Sequence, residues 1–464
     1  MHETNQITGV PDFLTGLAGP VYFLGIGGIG MSALARYFNG RSISVSGYDK
    51  TSTVLTKQLE AEGMNIHYED NVDLIDKNAT LVVYTPAMPA NHKELNFFKQ
   101  NNYSLLKRSD VLGLITKSEF NICVAGTHGK TTTSAMIAHI LRDSGYGCNA
   151  FLGGIATNYD SNFWSSSKKV YVVEADEYDR SFLKLSPDVA IITSIDADHL
   201  DIYGTPENVE QAFIDFSEKI KPGGSLVIKY GIKRITDFKV EDTSTYSITD
   251  GKAKIHINNL SINNGAYRFN VINDFWAVNN VELNMGGRHN IENAVASIGV
   301  AKYLKIDDNK IKKAVKSFKG VKRRFEYIIK NEKVVYIDDY AHHPEELRAL
   351  INSAKELFPE KKCTIVFQPH LFSRTKDLAE AFAETLNLAD EIILLPIYPA
   401  RELPIEGVTS EMILSKIINK NKWVLEKDEL TSWIKKNKTA LLITAGAGDI
   451  DTLVQQIKQT LLSI

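Results

Sequence analysis

Short apolar runs alternate along most of the chain with longer stretches in which apolar positions recur at helical spacing. That alternation predicts βαβ units around mainly parallel sheets, an α/β fold. Val21–Leu24 predicts a strand, Gly25–Gly30 a turn and Met31–Phe38 a helix, with further strands over Ser42–Ser46 and Thr80–Tyr84. This first unit ends around Arg108–Ile115. A second unit opens with a strand over Asn121–Ala125 and a helix over Ser134–Arg142, and continues with strands over Val170–Val173 and Val189–Thr193. The texture then changes. Ser225–Lys229, Ala253–Ile257, Tyr267–Val271 and Val278–Leu283 read as short strands around the turn dipeptides Asp250-Gly251 and Asn264-Gly265, so a small antiparallel annex is expected there. A helix over Ile291–Leu304 closes it, and the basic, glycine-bearing stretch Lys319–Arg324 forms a junction. In the third unit, strands are predicted over Val334–Ile337, Thr364–Phe367, Glu391–Leu395 and Leu441–Thr444, and helices over Pro344–Leu357 and Asp377–Leu388.

Composition narrows the class. With 464 residues, 44% hydrophobic and 23% charged, the chain reads as an ordinary soluble protein of several domains, which excludes a disordered chain, a collagen and a membrane bundle. Lys+Arg 53 against Asp+Glu 56 leaves a net charge of −3, so no nucleic acid or anionic membrane partner is expected, and any phosphate must be held locally. Cys123, Cys148 and Cys363 are too few and too scattered for a disulfide framework or zinc cluster and point to a reducing compartment. Met1–Pro20 lacks the basic start and apolar core of a secretory signal, and Val21–Leu34 is too short to cross a bilayer. A cytoplasmic protein without membrane insertion is expected.

Candidate chemistry gathers at strand ends. Gly25-Ile26-Gly27-Gly28-Ile29-Gly30 fits G-x-G-x-x-G between a strand and a helix, and Asp49 follows the next strand, where a ribose-binding acid is expected. The motif reads a diphosphate rather than a base, so a nicotinamide or flavin dinucleotide, a UDP-sugar and plain strand–helix packing all stay open. Gly126-Thr127-His128-Gly129-Lys130-Thr131-Thr132 follows the strand Asn121–Ala125 and opens a helix. Backbone N–H groups of such a loop cradle phosphates, Lys130 would reach the β/γ oxygens, and the Thr131 hydroxyl would bind Mg²⁺. Val124 stands where the general G-x-x-x-x-G-K-[ST] pattern has its first glycine. The acidic run Glu174-Ala175-Asp176-Glu177-Tyr178-Asp179 and the loop Asp196-Ala197-Asp198-His199 follow two further strands. Strand C-termini of a parallel sheet share one edge, so Glu174, as a second metal ligand, and His199 are expected beside the phosphate loop. The loops after three strands of the third unit, Asp338–Pro344, Phe367–Thr375 and Thr444–Ile450, suggest another piece of a composite site, with Asp339 and Arg374 its principal charged candidates.

Taken together, Gly126–Thr132, Glu174–Glu177, Asp196–His199, Gly287-Arg288-His289-Asn290-Ile291-Glu292-Asn293, Arg323-Arg324-Phe325 and Asp338–Pro344 resemble the Mur ligases, the ATP-dependent amide-forming enzymes of peptidoglycan assembly. The resemblance covers nearly the whole chain. Phe23–Met31, Phe367-Gln368-Pro369-His370 with Ser373-Arg374-Thr375, and Gly446–Ile450 are most similar to the alanine-adding branch. It implies three domains: a UDP-sugar-binding Rossmann-like domain at 1–107, a central P-loop domain at 108–321 and a C-terminal Rossmann-like domain at 322–464 that closes over the nucleotide and binds the amino acid. It also implies UDP-N-acetylmuramate, L-alanine and ATP as substrates, with Mg²⁺, two ions in all, and an acyl-phosphate intermediate. Gly25, Gly27, Gly28, Ile29, Gly30 and Asp49 would then bind the UDP-sugar. Gly126–Thr132, Asn290, Asn293, Arg324 and Asp339 would bind ATP. Thr131 and Glu174 would hold one metal, Glu174 with His199 a second, and His370 and Arg374 would receive the alanine carboxylate. Two departures stand out. Gln211–Phe216 carries no lysine where several sister ligases have a modified one, and Leu371 stands where some members of the branch have arginine. The competing expectations are a tripeptide-recycling ligase of the same family, a P-loop switch without ligase chemistry, and an oxidoreductase built on Gly25–Gly30.

Overall fold

A computed structural model describes Leu17 and residues 19–400 and 402–463. Its contacts divide the chain into two compact units, one comprising residues up to 257 with 271–278 and 292–314, the other 258–270, 279–291 and 315–464.

The first unit begins with a five-stranded sheet. Its strands are β1 (Val21–Leu24), β2 (Val45–Tyr48), β3 (Asn65–His67), β4 (Leu81–Tyr84) and β5 (Leu105–Lys107), in the order β3-β2-β1-β4-β5. Every pairing is parallel. β1 is apolar throughout because both faces are covered: Val21 and Phe23 join one core cluster, Tyr22 and Leu24 another. Helix α1 (Ile29–Asn39) follows the glycine turn directly, starting two residues earlier than expected.

The same unit holds a second sheet built on β6 (Phe120–Ala125), β7 (Asn149–Ala156), β8 (Ser161–Trp164), β9 (Val170–Glu174), β10 (Val189–Ile192), β11 (Ser225–Lys229) and β12 (Asp242–Ser247), in the order β12-β11-β10-β6-β9-β7-β8. Helix α2 (Lys130–Asp143) leaves β6 through the Gly126–Gly129 turn. β9 and β10 flank β6 in parallel, with Val124 opposite Glu174 and Ala125 opposite Ile192. Three strand ends therefore open on one edge.

One expectation needs correction. The segment from Ser225 is not an antiparallel annex at its start: β11 runs parallel to β10, β12 parallel to β11, and Ile255 and His256 pair in parallel with Tyr246 and Ser247. The Asp-Gly and Asn-Gly dipeptides do mark turns, but Asp250-Gly251 sits in a connection between parallel strands. Strands at Ala266–Asn273 and Trp276–Leu283 match the remaining expected runs, and α3 (Arg288–Tyr303) follows them.

In the second unit, a six-stranded sheet runs β13-β14-β18-β15-β16-β17, where β13 is Glu326–Lys330, β14 Val335–Asp339, β15 Cys363–Phe367, β16 Glu391–Leu394, β17 Lys422–Val424 and β18 Leu441–Ala445. Only the edge strand β13 is antiparallel. Register places Asp339, Ala445 and Phe367 side by side, so the three polar loops again share one edge. α4 (Pro344–Leu357) leaves the first of them, with Pro344 in its first turn, and α5 (Phe372–Leu386) leaves the second. All three cysteines are buried and free. Among the described residues no helix is long and apolar enough to cross a membrane.

Candidate active site

The edge after β6, β9 and β10 carries a connected polar network. Gly126 has φ +136°, and a Cβ there would strike the Thr193 hydroxyl, so only glycine lets the loop lie against the end of β10. Gly129 caps α2 in the left-handed region at φ +81°. The loop is stitched to the β10 loop: Thr127 and Ser194 hydroxyls lie 2.8 Å apart, His128 N–H donates to Ser194 Oγ at 2.8 Å, and Thr193 Oγ1 donates to the His128 carbonyl at 2.5 Å. Thr132, in the first turn of α2, is buried. Asn293, on α3, packs against the same loop. It accepts from the Thr133 hydroxyl at 3.1 Å, and its Oδ1 is 2.7 Å from where a Cβ on Gly129 would be.

Lys130 and Glu174 occupy this edge as expected. The Lys130 ammonium donates to the Gly126 carbonyl at 2.6 Å and lies 2.7 and 2.9 Å from the two carboxylate oxygens of Glu177. Glu174 accepts from the Thr131 hydroxyl on one oxygen and from the Gly153 N–H on the other, each at 2.8 Å. Burial raises the Glu174 carboxyl above the usual range, opposed by the Thr131 hydrogen bond, the nearby Lys130 and the Gly153 N–H. His199 lies in the left-handed region at the start of the helical turn Leu200–Tyr203. Its Nε2 is 3.8 Å from both Glu177 and Asp198, and its ring meets Tyr178 edge-on. The structure thus pairs Glu174 with Thr131 and Gly153, and His199 with Glu177 and Asp198.

The glycine loop after β1 is ordered by Asp49, whose Oδ2 accepts the Gly27 N–H at 2.8 Å and whose Oδ1 accepts from Thr51 N at 3.3 Å. Gly25 has φ +87° and donates to the Tyr48 carbonyl at 2.8 Å. Gly28 caps α1 in an extended conformation, while Ile29 begins the helix on the exposed side. The Arg108 guanidinium sits over Gly30, 2.7 Å from where a Cβ would stand.

In the second unit, Asp339 accepts N–H groups of Phe325 at 2.6 Å and Ala341 at 2.7 Å, tying its strand end to the Arg323–Phe325 turn. Burial pushes its carboxyl up to about 6, against those two hydrogen bonds and the charge of Arg324, which is itself exposed. Asn290 is buried and donates to the Gly286 carbonyl at 2.6 Å. His370 stacks on Tyr398, and burial, with Arg374 and His342 nearby, lowers its pKa. His370 Nδ1 and Arg374 Nη1 are buried atoms with no hydrogen-bond partner among the described residues. Leu371, between β15 and α5, has φ +67°.

The donor set at the phosphate-loop edge fits Mg²⁺. A hydroxyl and a carboxylate are hard oxygen ligands, and Mg²⁺ characteristically takes one or two protein oxygens and completes its shell from phosphates and water. Among the described residues no three His, Cys, Asp or Glu side chains form a ready-made metal cluster.

Several residues escaped the sequence reading. Glu177 lay inside the acidic run, but nothing in the spacing says that it turns inward onto Lys130 while Glu174 meets Thr131. Gly153 gave no signal, because its role is to leave room for the Glu174 carboxylate. Ser194, Thr193 and Arg108 are ordinary residues in sequence and matter only through what folding brings beside them.

Comparison with known proteins bears on all three segments. Residues 20–119 match the model described as Mur ligase family, catalytic domain; 124–301 match the Mur ligase middle domain; 323–450 match the Mur ligase glutamate ligase domain. The UDP-N-acetylmuramate–L-alanine ligase of Cytophaga hutchinsonii is 49% identical over 450 residues, covering 94% of this chain and 96% of that one. Among solved structures, the UDP-N-acetylmuramate–alanine ligase of Thermotoga maritima superposes with a TM-score of 0.81 at 28% identity, covering 96% of this chain and 99% of that chain. A murein peptide ligase from Psychrobacter arcticus, 22% identical with a TM-score of 0.65 over 96% of this chain and 99% of that one, shares the fold.

Proposed function

The chain belongs to the Mur ligase family, and from that premise we infer that it joins L-alanine to the carboxylate of UDP-N-acetylmuramate in peptidoglycan precursor synthesis, driven by ATP, the co-substrate of this family. The observation that carries the reading is the gathering of Lys130, Thr131 and Glu174 on one sheet edge, in a chain nearly half identical over its length to an alanine-adding ligase.

The chemistry follows from the problem. Condensing a carboxylate with an amine in water is uphill, so the carboxylate must be activated. A muramate carboxylate oxygen attacks the γ-phosphorus of ATP and ADP leaves, giving an acyl phosphate. The alanine amine then attacks the acyl carbon, and phosphate departs from the tetrahedral intermediate as the amine loses its proton. The protein's work is positioning and charge neutralisation. Backbone N–H groups of Gly126–Thr132 cradle the phosphates, and Lys130 exchanges the Glu177 carboxylate for the transferring phosphoryl group. Thr131 and Glu174 would hold one Mg²⁺, and Glu174 with His199 would hold a second. Bound there, the ions neutralise phosphate charge. Asn290, Asn293, Arg324 and Asp339 contact adenine and ribose, and the unpartnered nitrogens of His370 and Arg374 receive the alanine carboxylate. Gly25, Gly27, Gly28, Ile29, Gly30 and Asp49 hold the UDP-sugar. The assigned segments are 1–107 for the sugar nucleotide, 108–321 for ATP and 322–464 for the amino acid.

The second substrate separates this reading from its nearest alternative. ADP release over many turnovers should require UDP-N-acetylmuramate together with L-alanine. Release driven by the murein tripeptide in place of L-alanine would establish a recycling ligase instead. Turnover of ATP indifferent to both acceptors would leave only a P-loop ATPase.

A further inference from the structure

Helix α1, which leaves the glycine loop, is bolted to the hairpin β7–β8 by one buried side chain. Asn162, on β8, is fully buried. Its Nδ2 donates to the Ser32 hydroxyl at 2.9 Å and to the Ile29 carbonyl, both in the first turn of α1. Its Oδ1 accepts from Arg36 Nη1 at 2.5 Å, one turn further along the same helix. Arg36 is fixed from its other side by Glu62, which accepts from Nε and Nη2 at 2.7 to 3.0 Å. All the amide's hydrogen-bonding groups are thus spent on α1.

The other end of the hairpin reaches the phosphate-loop edge. β8 pairs with β7 through Ala150↔Trp164 and Phe151↔Phe163, and β7 pairs with β9 through Ala150↔Val172 and Phe151↔Val173. Two residues past Phe151, the Gly153 N–H grips the Glu174 carboxylate. A path of paired backbone therefore runs from the first turn of α1, through Asn162, to the group that receives the Thr131 hydroxyl. Apolar packing of Tyr37 on Phe151 and Phe163 also holds α1 to this hairpin. Such packing is non-directional and lets a helix slide. A fully satisfied buried amide does not.

We propose that Asn162 is a positioning residue for the ligase reaction: it fixes the diphosphate-bearing end of α1 relative to the Glu174 edge, and so sets where the muramate carboxylate stands when the γ-phosphoryl is transferred. This rests on the reading of Gly25–Gly30 as the UDP-sugar diphosphate loop. Asn162 touches neither substrate. Its effect should appear in the rate of the bound complex rather than in the affinity of either nucleotide.

The test compares Asn162→Ala and Asn162→Asp with wild type, measuring kcat per folded molecule, the Kd for UDP-N-acetylmuramate and the KM for ATP. Misalignment on the scale of an ångström slows such reactions by up to about 100-fold, so kcat should fall ~10- to ~100-fold in both variants, with Kd and KM within about threefold of wild type. Asn162→Asp discriminates further. It keeps the acceptor for Arg36 but cannot donate to Ser32 or Ile29, so it should not rescue kcat. If Asn162→Asp restores kcat, or if either variant only melts earlier with kcat per folded molecule intact, Asn162 is structural and the proposal falls. A raised Kd at unchanged kcat overturns it too. Should neither variant fold, Ser32→Ala, which removes one of the two acceptors, decides: kcat should drop about threefold, the scale of one lost hydrogen bond, and an unchanged kcat contradicts the proposal. Gly28→Val, run in parallel, isolates the underlying reading. Its Cβ would meet only ordinary contacts, 3.5 Å from the Gly25 carbonyl and 3.6 Å from Met31. An unchanged UDP-sugar Kd in that variant would refute the loop assignment itself, independently of Asn162.

Discussion

Lys130 and Glu174 show what residue types alone could and could not say. A lysine and a threonine after G-T-H-G, and a glutamate ending an apolar strand, are legible because phosphate and metal chemistry demands those groups at strand ends. Their partners are not legible. The Lys130 counter-ion is Glu177, three residues past the expected ligand, and the group that orients Glu174 is a backbone N–H on Gly153. Gly153 yields a sharp test. Its φ lies outside the left-handed region, yet a Cβ there would collide with the Glu174 carboxylate. Gly153→Ala should therefore fold normally but push Glu174 off the Thr131 hydroxyl, lowering kcat at least ~10-fold, a fraction of the ~10²–10³ lost when a single preorganised contact at a reacting centre is removed outright. Circular dichroism, melting and steady-state ADP release check it. A variant with unchanged kcat would mean that the orientation of Glu174 does not matter.

Elements are legible in the sequence where burial is two-sided and hard to see where it is not. β1 and β10 are continuous apolar runs and β6 is apolar apart from Asn121, and the predicted ends of all three lie within a residue or two of the observed ones. β7 and β8 were missed because Gly153, Gly154, Asn158 and Asp160 look like loop formers, although the hairpin they build joins the glycine-loop helix to the Glu174 strand. No strand is predicted over Asp242–Ser247, and the antiparallel expectation from Ser225 onward fails because turn dipeptides carry no information about strand direction. At the end of β14 the element itself creates an unusual charge state. Burial pushes Asp338 up to about 7, although the Thr444 hydroxyl donates to it at 2.6 Å and Arg323 lies 3.5 Å away. Because the folded state binds this proton more tightly than the unfolded chain, whose Asp titrates near ~3.9, the associated stability is full below that value and is lost as pH rises through about 7. Asp338→Asn keeps the Thr444 hydrogen bond without the charge. Its advantage in melting temperature over wild type should grow as pH rises from 5 to 8, by at least ~2–4 °C, the shift expected for about 1 kcal/mol in a domain of this size. Parallel melting curves for the two proteins across that range would contradict the assignment.

For the whole molecule, chemistry was more legible than architecture. Three loops at strand ends, each rich in groups that bind phosphate, metal or carboxylate, stand out in a chain of near-neutral charge. Membership of the Mur ligase family favours, among the ligands that physics leaves open for the glycine loop, a UDP-sugar over a dinucleotide. The sequence could not reveal what joins helix α1 to the Glu174 strand, because that depends on a hairpin with weak strand signals and one buried asparagine. The edge bearing Lys130 and Glu174 should transfer phosphoryl from ATP to the muramate carboxylate before any amino acid takes part. Borohydride quenching of enzyme mixed with UDP-N-acetylmuramate, ATP and Mg²⁺, without L-alanine, tests it most directly. Wild type should give the alcohol from acyl-phosphate reduction, up to one per enzyme, and Lys130→Ala almost none, because phosphoryl transfer there should slow ~10²–10³-fold. No alcohol in wild type, or an equal yield at equal times in Lys130→Ala, would contradict it.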